Sequence, residues 1–262
     1  MLLRWLQALA ADPRSLELLD THAGAGLYDL STVPAARTGE AQAGIGRLLA
    51  TPPGTDGGRA LVAAVRALNR GGEGPLYPGS PLLACGALRT GDRYVGCELR
   101  ADDADALQAA LRARVVRVRA RVLRRDGYAA AATAVPGPRR AVLIDPPFES
   151  DDEAERITEA CAAALTRGEP VAVWAPIKDL DGFDRLLGRL ESLGPPASIS
   201  AEVRLRPLVD PMRLNGCAMI LLGGPDLAAP VEAIAAEVAA LCGDTGGEAR
   251  LERFGLRAEG QP

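Results

Sequence analysis

Short apolar runs alternate with helix-periodic stretches along most of this chain, and the runs end abruptly at glycine, proline or a carboxylate. Leu16 to Leu19 stops at Asp20. "RYVGCEL" (93–99), "VVRVRARVL" (115–123), the run ending at Asp145, and "PVAVWAPI" (170–177) repeat the pattern. Between them lie the helical stretches "DDADALQAALRAR" (102–114), a short alanine run after Asp126-Gly127, "DEAERITEACAAALTR" (152–167) and "LDGFDRLLGRLESL" (180–193). Parallel neighbours need a crossover, usually a helix, so this alternation predicts an α/β fold: a mostly parallel sheet with helices on both faces. "ASISAEVRLRP" (197–207) and "CAMILLGG" (217–224) have no helix between them, which predicts one antiparallel strand at that edge. Helix "APVEAIAAEVAALC" (229–242) follows, and the polar, glycine-rich tail after Cys242 is expected to fray.

Leu2, Leu3, Leu6 and Leu9 recur at helical spacing, so an amphipathic helix opens the chain and covers the sheet. Segment 39–88 breaks the alternation. "EAQAGIGRLLA", "GRALVAAVRALNR" and "SPLLACGALR" read as helices separated by Gly/Pro clusters with no strand among them. The expected organisation is therefore one α/β domain (1–38 and 89–262) with a helical insertion (39–88).

The 262 residues suffice for a sizeable core. Lys178 is the single lysine against many arginines, a compositional bias that makes raw arginine counts uninformative. Net charge is −4, so no global basic field marks a nucleic-acid binder, and such a partner would meet a local patch. Seven arginines between Arg112 and Arg125 are either a solvated strand face or an RNA backbone track. The five cysteines are scattered without a C-x-x-C or a histidine cluster, which predicts free thiols, no metal site and a reducing cytoplasm. No apolar run is long enough to span a bilayer, and no membrane partner is expected.

In sheets of this kind ligands bind at the carboxyl ends of the strands. Four features fall there: "DTHAGAG" (20–26), Glu98, Asp126-Gly127, and "DPPF" (145–148). Gly24 and Gly26 permit a tight turn against a ligand, but neither G-x-G-x-x-G nor a P-loop lysine is present. Glu98 suits two ribose hydroxyls. Asp126 suits an adenine amine, with Gly127 leaving room for the ring, although Asp-Gly is also an ordinary turn pair. In "DPPF" two prolines stop the strand and hold its last carbonyls rigid. An aromatic base carrying a primary amine fits that turn: its N–H groups donate to Asp145 and to the Pro146 carbonyl, with Pro147 stiffening the loop and Phe148 stacking on the base. The amine is then poised to attack a methyl in line, as the sulfonium of S-adenosylmethionine would supply. His22 is the only histidine and lies in the glycine loop. Ser80 reads as a helix cap.

"LLDTHAGAGLYDL", "RTGE", "LYPGSPLLA", "CEL", "DGY", "VLIDPPFE" and "NGCAMILLGGP" occur in an order that resembles the RlmJ family, bacterial methyltransferases acting on adenine of large-subunit (23S) ribosomal RNA. The resemblance spans the first helix to about Cys242. It implies a Rossmann-like, S-adenosylmethionine-dependent methyltransferase domain with a small helical insertion. It further implies cofactor contacts at His22, Ser80, Glu98, Asp126 and Gly127, catalytic work at Asp145, and a protein-free or early precursor rRNA as partner. Family members usually carry a segment rich in His, Lys and an aromatic before the first helix. Met1 lies inside that helix here, so either a displaced start or a partial active site, even an impaired RNA- or cofactor-binding remnant, is expected. Phe148 stands where tyrosine is commoner and keeps the stacking face. Duplex DNA adenine is the alternative substrate, although no separate target-recognition domain is legible.

Overall fold

The structure is a computed structural model and describes residues 1–32, 42–72, 75–207, 214–243 and 247–255. In chain order the elements are α1 (Leu2–Ala10), β1 (Leu16–Asp20), β2 (Leu27–Asp29), a π-helical turn (Gln42–Gly46) running into α2 (Arg47–Ala50), α3 (Asp56–Leu68), β3 (Leu76–Pro78) and α4 (Ser80–Ala87). There follow β4 (Arg93–Cys97), α5 (Ala101–Arg114), β5 (Arg119–Leu123), α6 (Gly127–Ala132), β6 (Arg139–Ile144), α7 (Glu153–Thr166) and β7 (Val171–Ile177). The chain closes with α8 (Leu180–Ser192), β8 (Ser198–Arg204), β9 (Gly216–Leu222), α9 (Ala228–Cys242) and β10 (Glu248–Phe254).

Eight strands form one sheet in the order β10-β8-β9-β7-β6-β1-β4-β5. β5, β4, β1, β6 and β7 run parallel. The edge strand β10 is antiparallel to β8, and β9, one place further in, is antiparallel to both β7 and β8. The central strands β1, β6 and β7 are buried on both faces, which explains apolar runs with no polar alternation. Leu16, Leu18, Ala141 and Leu143 face a core shared with Trp5, Leu6 and Leu9 of α1, Leu107 and Leu111 of α5, and Val231 of α9. Leu19, Val142 and Ile144 face the other core, with Ile157 and Cys161 of α7 and Phe183 and Leu190 of α8. Each such leucine or isoleucine contributes about 2 kcal/mol by leaving water.

The structure corrects several local expectations. β5 starts at Arg119, so 115–118 is loop. Within 39–88 a strand is present after all: β3 pairs antiparallel with β2, Leu27 opposite Pro78 and Asp29 opposite Leu76. Three residues are too short to show a period. The start of that segment and "RTGE" lie outside the described residues. Within the tail, Glu248–Phe254 does not fray but completes the sheet edge. Glu248, Arg250 and Glu252 alternate along it, and Arg250 pairs with Glu252; charges of this kind guard an edge against further pairing. No helix among the described residues is long and apolar enough to cross a membrane.

Candidate active site

β1 sits centrally, with β4 on one side and β6 on the other, so the chain leaves its carboxyl end in a crevice between diverging connections. A cleft of about 480 Å³ opens there. Its walls come from the four strand ends picked out in the sequence: His22 and Gly24 after β1, Glu98 after β4, Asp126 and Gly127 after β5, and Asp145, Pro146 and Pro147 after β6.

Gly24 has φ +59°, in the left-handed region, and a Cβ there would lie 2.5 Å from the Tyr28 hydroxyl. Its N–H donates to Glu98 Oε2 at 3.0 Å, while Glu98 Oε1 accepts from the Arg100 amide at 2.8 Å. One carboxylate thus pins the glycine loop to the end of β4. The Thr21 hydroxyl donates to the Leu143 carbonyl at 3.0 Å and lies 2.8 Å from His22 Nδ1. Since its single hydrogen is committed, Nδ1 carries the imidazole proton and Nε2 is left as an acceptor. Burial lowers the His22 pKa and keeps the ring neutral; its edge meets Tyr128 at 4.7 Å.

Asp126 caps α6, accepting from the Tyr128 and Ala129 amides at 2.8 and 3.1 Å, and pairs with Arg156. Burial raises its pKa, but these partners outweigh that and hold the carboxyl below the ordinary value. Gly127 lines the cleft and is also needed for packing: a Cβ there would sit 1.9 Å from the Thr21 carbonyl oxygen, so the glycine lets α6 touch the β1 turn.

Asp145 is half-buried, and its carboxylate has no hydrogen-bond or ion-pair partner among the described residues. Burial, and secondly the charge of Asp20, push its pKa up to about 7. Phe148 is the one non-glycine residue among those described with positive φ, +54°. Strain of this kind often marks functional turns. Its ring turns away from the cleft, packs edge-on to Trp174 at 6.2 Å, and lines a neighbouring hollow of about 500 Å³ that also holds Lys178. Ser80 does not line the cleft either. At the start of α4 it donates to Asp20 Oδ2 at 2.9 Å, as does the Tyr94 hydroxyl at 2.9 Å.

Sequence reasoning missed Asp20, Thr21, Tyr28 and Arg156. Asp20 ends the first strand and had a signal, a carboxylate closing an apolar run. It is wholly buried, and its Oδ1 has no protein partner. Burial first of all raises its pKa to about 6. A folded pKa above the unfolded one contributes stability that is complete below about pH 4 and lost as pH rises through about 6. Asp20→Asn keeps an acceptor and removes the buried charge. It should therefore stabilise the free protein by about 2–3 kcal/mol at pH 8 and by little near pH 4, read from denaturant midpoints. Equal effects at both pH values would contradict the assignment. Arg156 gave no local signal, since its place depends on how α7 packs against α6.

A mostly parallel sheet with this crevice and a glycine turn after β1 make a Rossmann-like domain, and the family match makes it a methyltransferase domain. Residues 13–252 match the family described as ribosomal RNA large subunit methyltransferase D, RlmJ, and the chain belongs to that family. It is similar to ribosomal RNA large subunit methyltransferase J of Escherichia coli K12, at 30% identity over 84% of this chain and 79% of that protein. The protein of the same name from Haemophilus influenzae is 31% identical over the same shares. Among solved structures, protein LPL1258 of Legionella pneumophila shares the fold, with a TM-score of 0.87 and 22% identity over 98% of this chain and 95% of that one.

Proposed function

We propose that this chain transfers a methyl group from S-adenosylmethionine to the N6 amine of an adenine in 23S ribosomal RNA, in protein-free or early precursor form. The observation that carries the reading is Asp145: an unpartnered carboxylate on a proline-stiffened turn, opening into a cleft at the strand ends. The cleft residues suit the cofactor. Glu98 offers remaining lone pairs to ribose hydroxyls, and Asp126 with His22 Nε2 offers acceptors to a purine edge. Asp20 Oδ1, buried and unpaired beside Ser80, is an acceptor that an ammonium would satisfy. Bound there, the cofactor would supply an electrophilic methyl.

The protein's own part is orientation. Ionised Asp145 accepts one amine N–H, the Pro146 carbonyl accepts the other, and the two prolines fix both acceptors. The Phe148 ring, packed edge-on to Trp174 outside the cleft, anchors the far end of the turn. The insertion (39–88) and the α/β remainder act as one enzyme, with β3 and α4 delivering Ser80 beneath the cleft. Five free cysteines suit the reducing cytoplasm where rRNA is made.

Because Asp145 must be ionised to accept, kcat/KM should fall tenfold per unit below about pH 7. In Asp20→Asn the loss of a neighbouring negative charge should move that limb to lower pH, and an unmoved limb would separate the two carboxylates. Labelled methyl donor incubated with protein-free large-subunit rRNA or duplex DNA tests the substrate. Label in the RNA is expected; label confined to DNA, or in neither, overturns the reading.

A further inference from the structure

β5 is the outer strand at the end of the sheet opposite β10, and it leads straight into the cleft through Arg125 and Asp126. Val118, Ala120 and Val122 point into the core beneath α5. Arg117, Arg119 and Arg121 therefore project to the opposite face, and all three are exposed. On β4 the same face carries Arg93, in register with Arg119, and Val95, in register with Arg121. Three guanidinium groups are thus gathered on a small area: Arg119 and Arg121 are about 7 Å apart along the strand, and Arg93 is one strand spacing, about 5 Å, away.

None of the side chains of Arg93, Arg117, Arg119, Arg121 or Arg125 has a hydrogen-bond or ion-pair partner among the described residues. Glu17 is in register with Arg93, yet no ion pair joins them. Arginines that the fold uses are tied to carboxylates, Arg140 to Glu169, Arg156 to Asp126 and Arg204 to Glu202, whereas these five share one sheet edge and none is so tied. Like charges directly opposite on neighbouring strands oppose folding. A chain of net charge −4 nevertheless keeps them together at the start of the strands whose other ends form its cleft, with Arg125 at the cleft itself.

We infer that the exposed face of the β4–β5 edge, built on Arg93, Arg119 and Arg121 and continued by Arg125, is the surface that binds the RNA phosphate backbone and leads the strand to the cleft. The inference rests on the proposed function and says where the substrate lies. Phosphate contacts release counterions, and for single-stranded nucleic acid each contributes about 0.7 to the slope of log affinity against log salt.

The test is the triple variant Arg93→Gln, Arg119→Gln, Arg121→Gln, assayed against rRNA. KM should rise at least about tenfold with kcat nearly unchanged, and the salt slope should shrink by about 2. S-adenosylhomocysteine affinity should be unchanged and Tm should not fall, since a repulsion has been removed. The matching triple Lys variant, which keeps the charges, should hold KM within about threefold. The triple variant Arg66→Gln, Arg250→Gln, Arg253→Gln, exposed but away from this face, should change neither KM nor slope. Unaltered KM and slope in the β4–β5 variant, equal losses in the distant variant, or binding lost together with a lowered Tm would each overturn the inference. A wild-type chain that methylates no rRNA would instead overturn the proposed function itself. A partner protein held by this face while rRNA affinity is intact would likewise count against RNA as its occupant.

Discussion

Asp145→Asn is expected to lower kcat for methyl transfer about 10³-fold while leaving S-adenosylhomocysteine binding within a few-fold of wild type. Asparagine keeps the shape and one acceptor oxygen but loses the charge, and a charge-assisted hydrogen bond to the amine is about twice as strong as a neutral one. Its NH2 group also presents a donor where the amine needs an acceptor. Asp145 holds nothing else in place among the described residues, so the loss should not be structural. Its raised pKa, about 7, says that ionisation opposes folding, and the variant should be at least as stable as wild type at pH 8. Single-turnover rates with thermal denaturation on the same preparation separate the two effects. A variant of near-normal rate would remove Asp145 from the chemistry.

Gly127→Ala should be the most damaging single-methyl change near the cleft. The added carbon would lie 1.9 Å from the Thr21 carbonyl oxygen and 2.6 Å from its Cα, and both are backbone atoms that cannot swing aside. Either α6 or the β1 turn must move, at a cost of about 3 kcal/mol or more. For a domain of this size that is roughly a 6–12 °C fall in Tm. Because Asp126 caps α6 and His22 follows Thr21, the same displacement should weaken cofactor-product binding by more than about tenfold. Gly188 is the control. It lies within α8 with nothing within 4 Å of its would-be Cβ, so alanine there should stabilise by about 0.5–1 kcal/mol. A Gly127→Ala protein as stable as the Gly188→Ala protein would show that α6 and the β1 turn yield freely.

The parallel half of the sheet was legible because runs such as Ala141 to Ile144 are buried on both faces and end in residues that cannot continue a strand. The elements that escaped notice carry weak local signals. β3 has three residues and ends in proline, and β10 alternates charge with half-buried positions in a polar tail. At the site, the backbone positions of "DTHAGAG", Glu98, Asp126-Gly127 and "DPPF" followed from the strand-end rule. Their side-chain partners did not. Asp126 to Arg156 spans two helices, Gly127 answers to Thr21 across the sheet, and the Phe148 ring follows Trp174 on β7. Long-range packing of that kind leaves no mark on local spacing.

The proposed methyl transfer requires that the Asp145 turn and the cleft beside Gly24 act on one atom, the exocyclic nitrogen of adenine. Nucleoside mass spectrometry of rRNA treated with isotopically labelled donor measures this most directly. The expected result is label in N6-methyladenosine from the wild-type chain and its near disappearance with Asp145→Asn. Label on a ring carbon, on another base, or undiminished in the variant would contradict it.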